Sequence, residues 1–361
     1  MRGKGLPLCL SLCVLFGADA CSKSRDSGTR EIDPRIAQCA RWVPFSRKGD
    51  GALFFLDRFE FRIGDLRAAS RLDGGAALFE VLSRVPRHAD PDLPAANLDL
   101  LEGMAAARLF FARLPRLEEW RQAVEGHAGF RFPWGDRFES LGALRANTLE
   151  LGLLRPTRVG TFESGRDPSR EDACYDLFGN LAEWVLDPPP SLFTERGEGG
   201  VSEILGRGRR DFWVGVESLL DLLRPWNGAR PWLPVFLRPL PSNERLPCVS
   251  IGFGFLSWIR PQAGDGRKIG PYERLGLEGR DPRERASDLG LRLATDPWTF
   301  LAGLAAVEGE PGEEERAILG RFLGRHAAAF RAAALARRRM AGPDERGTWL
   351  EAAVRILGLR P

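Results

Sequence analysis

Lysine, tyrosine and histidine are scarce in this sequence, and positive charge does not dominate it. Of its 52 basic residues four are Lys and the rest Arg, and the whole chain of 361 residues has three His and two Tyr. The 52 basic residues face 49 acidic ones, so the net charge is only +3. This balance excludes the strongly basic surface of a general nucleic-acid-binding protein, and we expect no nucleic-acid partner.

Several catalytic motifs are also missing. The sequence has no GK[ST] phosphate-binding loop, no GxSxG nucleophile turn and no CxxC pair. We therefore predict none of the chemistry that these motifs support. Glu118 and Glu119 are adjacent acids, but neighbouring residues on a helix do not share a face, so they do not form a catalytic pair.

The first twenty residues are typical of an export signal. A basic start is followed by the apolar run LPLCLSLCVLFGA, which is too short to span a membrane as a mature helix, and then by small residues. The sequence ADAC, ending at Cys21, resembles a bacterial lipoprotein cleavage site. We expect residues 1–20 to be removed, Cys21 to carry lipid, and the protein to reach the cell envelope, on the periplasmic side or as an outer-membrane lipoprotein. An ordinary secretory signal is the alternative.

Composition and pattern divide the rest of the chain into segments. Hydrophobic residues make up 43% of the sequence, enough for a substantial core. Residues 21–50 are predicted to be a polar tether and N-terminal segment, and residues 51–297 the main domain. Residues 188–247, Pro-rich at both ends, are predicted to be an insert in that domain. Residues 298–361, rich in Ala, Leu, Arg and Glu, have the pattern of a helical C-terminal extension.

Local patterns predict a few elements inside the main domain. Residues 53–61 have the pattern of a half-buried strand, and residues 63–70 that of a helix. A second helix is expected to begin after Asn97 or Asp99 and to stop at Pro115. Residues from about 130 to 190 are turn-rich and have no clear period, so we expect a bound ion or extensive side-chain packing to organise them.

Short motifs, taken in order, resemble the formylglycine-generating enzyme family, whose members are also called sulfatase-modifying factors. They span about residues 51–296, and the most specific are RLPxxxEW at Arg113, PWGD at Pro133, AN at Ala146 and GNxxEW at Gly179. The resemblance implies an α+β domain, similar to a C-type lectin, loop-rich and able to bind calcium through its loops.

The motif residues also predict how such a domain is packed. Trp120, Trp134 and Trp184 are large enough to consolidate a loop-rich core. The Gly179–Asn180 turn places Glu183 where buried hydrogen bonds would fix it, rather than leave it free for chemistry.

Calcium is the cofactor that the resemblance implies for this chain. By resemblance, Asn147 and Thr148 lie where one calcium loop begins, and Glu171 and Asp172 lie in the loop that forms the other. Ca²⁺ takes about six to eight oxygen ligands, many of them from irregular loops. The segment SREDACYD departs from the Pro-Asn-x-x-Gly-Leu-Tyr pattern of the family, so loops held by ordinary hydrogen bonds are the alternative.

The copper site of the family has no counterpart here. Its known members oxidise a substrate cysteine with oxygen and a copper(I) ion held by two cysteines, and soft thiolates suit that ion. The corresponding interval, Gly254 to Arg292, contains no cysteine. Cys39, Cys174 and Cys248 lie elsewhere, and we expect either one disulfide with a free thiol or buried inert thiols.

Iron is not predicted either. A second branch of the superfamily binds non-haem iron through histidines, but His88, His127 and His326 are scattered and form no HxxxHxE arrangement. We therefore assign no catalytic residues. We favour an exported, lipid-anchored, non-catalytic binding or scaffold protein with a protein, peptide or glycan ligand. The alternative is a divergent oxidoreductase of the same family that acts on a protein cysteine or a small thiol.

Replacing Cys21 by Ala is expected to release the protein from membranes, because an acyl chain on this thiol is the predicted anchor. Fractionation of cells followed by immunoblotting measures the release. Cys13→Ala is the matched control, since it changes a thiol in the segment predicted to be removed and should leave the fractionation unaltered. Undiminished membrane attachment of Cys21→Ala would contradict the lipoprotein prediction.

Overall fold

Two small β-sheets and a set of helices make up the part of the chain that the computed structural model describes. The described residues are 31–126, 132–135, 145–186, 248–257, 276, 278–280, 284–307, 309–340 and 348–359. The chain divides into Met1–Glu31 and Ile32–Pro361, and all the elements named below belong to the second unit. Outside the described residues lie the predicted signal, Cys21, Asp136, His127 and the whole of the 188–247 insert.

The first sheet has its central strand buried on both faces. Strands β1 (Trp42–Ser46), β2 (Leu53–Asp57) and β7 (Ala294–Thr295) are antiparallel, in the order β1-β2-β7. In β2, Phe55 packs into one core cluster, whereas Phe54 and Leu56 pack into another. Successive strand residues point to opposite faces, so both faces of β2 are buried. The sequence had instead predicted a half-buried strand.

The second sheet joins segments that are far apart in sequence. It contains β3 (Ala182–Val185), β4 (Cys248–Ile251), β5 (Glu278–Arg280) and β6 (Leu289–Gly290), in the order β5-β4-β3-β6. Strand β3 pairs antiparallel with β4 and parallel with β6. The strands are short, so side-chain packing and loop hydrogen bonds have to contribute much of the cohesion.

Helices of the N-terminal half surround these sheets. They are α1 (Pro34–Ala37), α2 (Ile63–Arg71), α3 (Phe79–Ser83), α4 (Leu100–Leu109) and α5 (Leu117–Glu125). Asp99 caps α4: its carboxylate accepts from the Glu102 N–H at 2.9 Å, and the Glu102 carboxylate accepts from the Asp99 N–H at 3.0 Å. This reciprocal capping box confirms Asp99, rather than Asn97, as the cap.

Helix α4 ends earlier than predicted. It stops at Leu109, and Phe111 adopts a left-handed backbone with φ of 57°. The chain then runs alongside β7, where Arg113 and Ala294 exchange two backbone hydrogen bonds of 2.8 Å. A tertiary backbone pairing therefore ends the helix before Pro115 is reached.

Four more helices follow the first sheet: α6 (Pro297–Leu304), α7 (Glu313–Arg325), α8 (Ala327–Met340) and α9 (Thr348–Ile356). The ring of Phe322 on α7 lies 5.1 Å from those of both Phe55 and Phe300. These helices thus cover one face of β2, while β1, which precedes residue 51, forms an edge of the same sheet. Residues on both sides of positions 51 and 298 therefore contribute to the packing around β2. No described helix is long and apolar enough to cross a membrane.

Candidate functional site

The region between residues 145 and 181 is built from turns, with two 3₁₀ turns at Leu149–Leu151 and Glu163–Gly165 as its regular pieces. One close approach in it is at Gly179, whose φ is 81° and whose missing Cβ would lie 2.6 Å from the carbonyl oxygen of Asn147. Only glycine tolerates both the backbone angle and this close approach. Asn180 follows with φ of 65°. These two residues are called the Asn180 turn below.

Asn180 joins several loops through hydrogen bonds. Its N–H donates to the Asn147 carbonyl at 2.7 Å, and its carbonyl accepts from the Phe255 N–H at 2.9 Å. Its side-chain Nδ2 donates to Glu60 at 2.6 Å, while Oδ1 accepts from the Thr157 N–H at 2.8 Å. The Asn180 turn therefore fixes two loops, residues 147–157 and 252–257, which we call the site loops.

Glu183 on β3 forms a fully buried ion pair with Arg292. Arg292 Nη2 lies 2.7 Å from Glu183 Oε1, and neither side chain is more than 1% exposed. Trp120 Nε1 donates to Glu183 Oε2 at 2.9 Å. The prediction that buried hydrogen bonds fix Glu183 is confirmed. Its partner Arg292 was not predicted, since the two residues are 109 positions apart and no local pattern links them.

Two further carboxylates lie near this pair, and no described guanidinium bonds to either of them. Burial raises the pKa of Asp176 to about 6, although Arg292 lies near it. Burial, followed by repulsion from Asp176 and Glu183, holds the pKa of Glu60 well above its ordinary value. Burial likewise raises the pKa of Glu183. In the described part of the site, three buried carboxylic acids therefore lie near a single guanidinium.

The Phe-Pro-Trp-Gly turn packs against the same region. Phe132 and Gly135 exchange two backbone hydrogen bonds of 3.0 Å, and the rings of Phe132 and Trp134 stack 5.1 Å apart. Phe178, next to the Asn180 turn, meets Phe132 edge-on at 5.1 Å. Residues 132–135 therefore support the core, as predicted. So do Trp120 and Trp184, both fully buried.

Comparison with known sequences agrees with this geometry. Residues 75–201, which carry the Trp120, Phe132–Gly135 and Asn180–Glu183 features, match the sulfatase-modifying factor enzyme 1-like domain.

This part of the chain is similar to a domain of the formylglycine-generating enzyme family.

A curated relative, the formylglycine-generating enzyme of Mycobacterium tuberculosis, is 32% identical over 112 residues, which are 27% of this chain and 37% of the relative. The chain thus matches little more than a third of that protein's length.

Three solved structures match the chain with low TM-scores and share little sequence with it. Variable protein 1 of Treponema denticola is 15% identical, with a TM-score of 0.38 over 68% of this chain and 85% of its own. PvdO from Pseudomonas aeruginosa is 17% identical, with a TM-score of 0.38 over 71% of this chain and 91% of its own. CarF is 13% identical, with a TM-score of 0.38, and the match covers 68% of this chain and 86% of its own. The predicted family and its α+β fold are confirmed by the domain match and the observed mixture of helices and sheets.

The residues predicted to bind calcium in the sulfatase-modifying-factor-like domain occupy two different environments. Asn147 and Thr148 are buried, each 1% exposed. Glu171 is exposed, and Asp172 pairs with Arg170 at 3.0 Å. Among the described residues, no group of three or more His, Cys, Asp and Glu side chains is placed to hold a metal ion. Glu171 and Asp172 therefore offer a cation one exposed carboxylate and one that is paired with Arg170.

Asn147 fits a cation better. Its Nδ2 donates to the Arg155 carbonyl at 2.9 Å and to Asn180 Oδ1 at 3.2 Å. Its Oδ1, in contrast, is buried with no hydrogen-bond partner among the described residues. A buried oxygen without a donor is costly, and a cation ligand would offset that cost.

The described thiols of the domain are unsuited to metal or redox chemistry. Cys39 and Cys174 are free and buried, and they belong to different core clusters. Burial raises the pKa of Cys174 to about 12, in spite of Arg292 nearby, and burial also raises the pKa of Cys39. Of the two predicted alternatives, buried inert thiols describe this pair. Cys248 begins β4, and its side chain lies outside the described set.

The two described histidines, His88 and His326, lie in different surroundings. His88 is exposed in a loop. His326 follows α7 and packs edge-on against Phe55 at 5.0 Å, and burial lowers its pKa. It contributes to the core beneath the C-terminal helices.

Arg292→Met is expected to lower the free energy of unfolding by about 3–5 kcal/mol, because it leaves Glu183 charged and buried without its partner. Urea denaturation measures the loss. The control Arg316→Met removes an exposed pair with Glu310, whose side chains are 53% and 62% exposed. That change should cost less than about 1 kcal/mol. Equal losses in the two variants would show that the buried pair is not a major stabilising contact.

Proposed function

We propose that this protein is a non-catalytic binding or scaffold protein on the formylglycine-generating enzyme fold, exported and held at the cell envelope by lipid on Cys21. The observation that carries the proposal is a contrast within one domain. The buried contacts among Trp120, Glu183 and Arg292, called the frame below, are all present. The interval Gly254 to Arg292, in contrast, holds no cysteine.

The thiols elsewhere in the chain support this proposal. Copper(I) needs two thiolates that approach one another. Cys174 has a pKa raised by burial to about 12, so it stays protonated at physiological pH. Cys39 is buried in a different core cluster. Neither thiol is prepared to act as a metal ligand or as a nucleophile towards a substrate cysteine.

Exposed leucines beside the site loops support a binding role. Leu153 and Leu154 are 40% and 59% exposed, and Leu154 has a left-handed backbone with φ of 53°. Leu256 is 45% exposed in the other loop. The two loops are joined by the hydrogen bond from the Leu149 N–H to the Ser257 carbonyl at 3.1 Å. An apolar surface held on a strained backbone suits the side chains of a protein or peptide ligand better than a sugar.

Purified protein incubated with copper(I), oxygen and a sulfatase-type cysteine peptide is expected to leave the peptide unchanged. Mass spectrometry measures conversion, which lowers the peptide mass when the thiol becomes an aldehyde. The matched positive control is the Mycobacterium tuberculosis formylglycine-generating enzyme under the same conditions. Conversion above the level without enzyme would overturn the non-catalytic proposal. Stoichiometric copper or iron in protein purified without a tag would favour the divergent oxidoreductase instead.

We also propose that calcium binds at Asn147, with Thr148 in the same loop segment. The unpartnered Asn147 Oδ1 supports this assignment. An ion there would supply charge and coordination rather than chemistry, and it would tie together the site loops that Asn180 already connects. Glu171 and Asp172 form the second candidate loop, and the Arg170 pair competes with any cation at Asp172.

Calcium is expected to raise the thermal midpoint of unfolding, because a ligand bound only by the folded state stabilises it by about 2.7 kcal/mol at a hundred times its Kd. Differential scanning fluorimetry in calcium chloride and in EDTA measures the shift. Asn147→Ala should abolish it, whereas Asp172→Asn, the matched control in the second loop, should retain it. A parent protein with the same midpoint in both buffers would count against calcium at this site.

A further inference from the structure

A cluster of buried acids lies directly beneath the Asn180 turn. Asp176 and Glu183 are 5% and 1% exposed, and Glu60 is fully buried. Among the described residues, the guanidinium that these three share is that of Arg292, which bonds to Glu183 through three contacts of 2.7–3.2 Å. The ionisable groups that face the cluster from the surrounding elements are Glu60, Asp176, Glu183, Arg292, Asp57 and Cys174.

Glu60 supports the Asn180 turn from below. Its Oε2 accepts from Asn180 Nδ2 at 2.6 Å, and its Oε1 accepts from the Leu181 N–H at 2.9 Å. Asp176 supports the chain on the other side, because its Oδ2 accepts from the Gly160 N–H at 2.6 Å. Glu60 therefore bonds directly to the turn that holds the site loops, whereas Asp176 bonds to Gly160, three residues after the first of these loops.

Charge in this cluster is not balanced when every acid is ionised. Three carboxylates would carry three negative charges against the single positive charge of Arg292, at a place that water does not reach. Like charges brought together in a buried site cannot all ionise without cost. One proton on Asp176 or Glu60 removes much of that repulsion.

We propose that this cluster is a pH-sensitive switch for the order of the site loops. With a proton bound, the Asn180 turn and the loops 147–157 and 252–257 stay hydrogen-bonded. As the pH rises and the proton leaves, repulsion among Glu60, Asp176 and Glu183 pushes Glu60 away from Asn180 and releases both loops.

The direction of the pH effect follows from proton binding. The ordinary pKa of Asp176 is 3.8, and in the fold burial raises it to about 6. Between these values the folded form holds more protons than the unfolded form, so stability falls as the pH rises through the window and stays lower above it. For a shift of this size, the equilibrium for opening should be about tenfold larger at pH 8 than at pH 5.

Hydrogen exchange of the full chain, with mass-spectrometric detection in EDTA at pH 5 and pH 8, tests the switch. After correction for the intrinsic exchange rate, peptides covering the site loops should be about tenfold less protected at pH 8. Peptides from α9 serve as the internal reference and should keep the same protection. Site loops that are equally protected at both pH values would overturn the proposal, whatever the variants show.

Asp176→Asn is the first variant to measure. Asparagine keeps an oxygen for the Gly160 N–H and tolerates the left-handed φ of 52°, but it carries no charge. The protection of its site loops should be nearly the same at pH 5 and pH 8. The control Glu310→Gln removes one negative charge from an exposed pair and should retain the tenfold dependence of the parent.

Glu60→Gln is a second, independent variant. It tests the switch even if Asp176→Asn does not fold. It removes the charge that faces Asn180 while keeping an acceptor for one of the two hydrogen bonds. A reduced pH dependence of the site loops supports the switch. Retention of the full dependence by either folded variant contradicts it.

Discussion

The buried pair of Glu183 and Arg292 is the interaction on which the rest of this domain depends. Arg292 bonds Glu183 on β3, and it also donates to the carbonyl oxygens of Asp57 at the end of β2 and of Tyr175 before the Asn180 turn, at 3.1 and 2.8 Å. Glu183 in turn anchors Trp120 on α5. One guanidinium thus connects both sheets to the loop region. Removing these charges from water is costly, so the pair matters more for holding one arrangement than for stability alone.

Local sequence patterns were sufficient for much of the frame. The Asp99 cap, helix α2, the buried tryptophans and the fixed Glu183 all follow from short-range signals such as capping residues, helical spacing and a Gly-Asn turn. Long-range partners were not accessible in this way. Glu60 meets Asn180 across 120 residues, and Arg292 meets Glu183 across 109. Neither contact leaves a periodic trace, and for the same reason the early end of α4 beside β7 was not foreseen.

Under the proposed function, the fold of this domain and the chemistry of its family are separated. The side chains that hold the frame together are buried ion pairs, aromatic rings and glycine turns, and they are present. The side chains that would perform oxidation are thiolates in the interval between Gly254 and Arg292, and the sequence has none there. A frame held by Arg292 can therefore persist while the loops beside it serve another purpose. Because the buried carboxylic acids outnumber the guanidinium beside them, we expect the pH to control the order of those loops.

The double burial of β2 has a consequence for how the chain is made. Phe55 is covered by Phe322 and Phe330, rings that leave the ribosome some 270 residues later. At about 5–20 residues per second, the strand waits tens of seconds before its final neighbours exist. During that time an apolar strand with free edges is open to wrong partners. A protein assembled in this order depends on being kept unfolded, or shielded, until its last helices arrive.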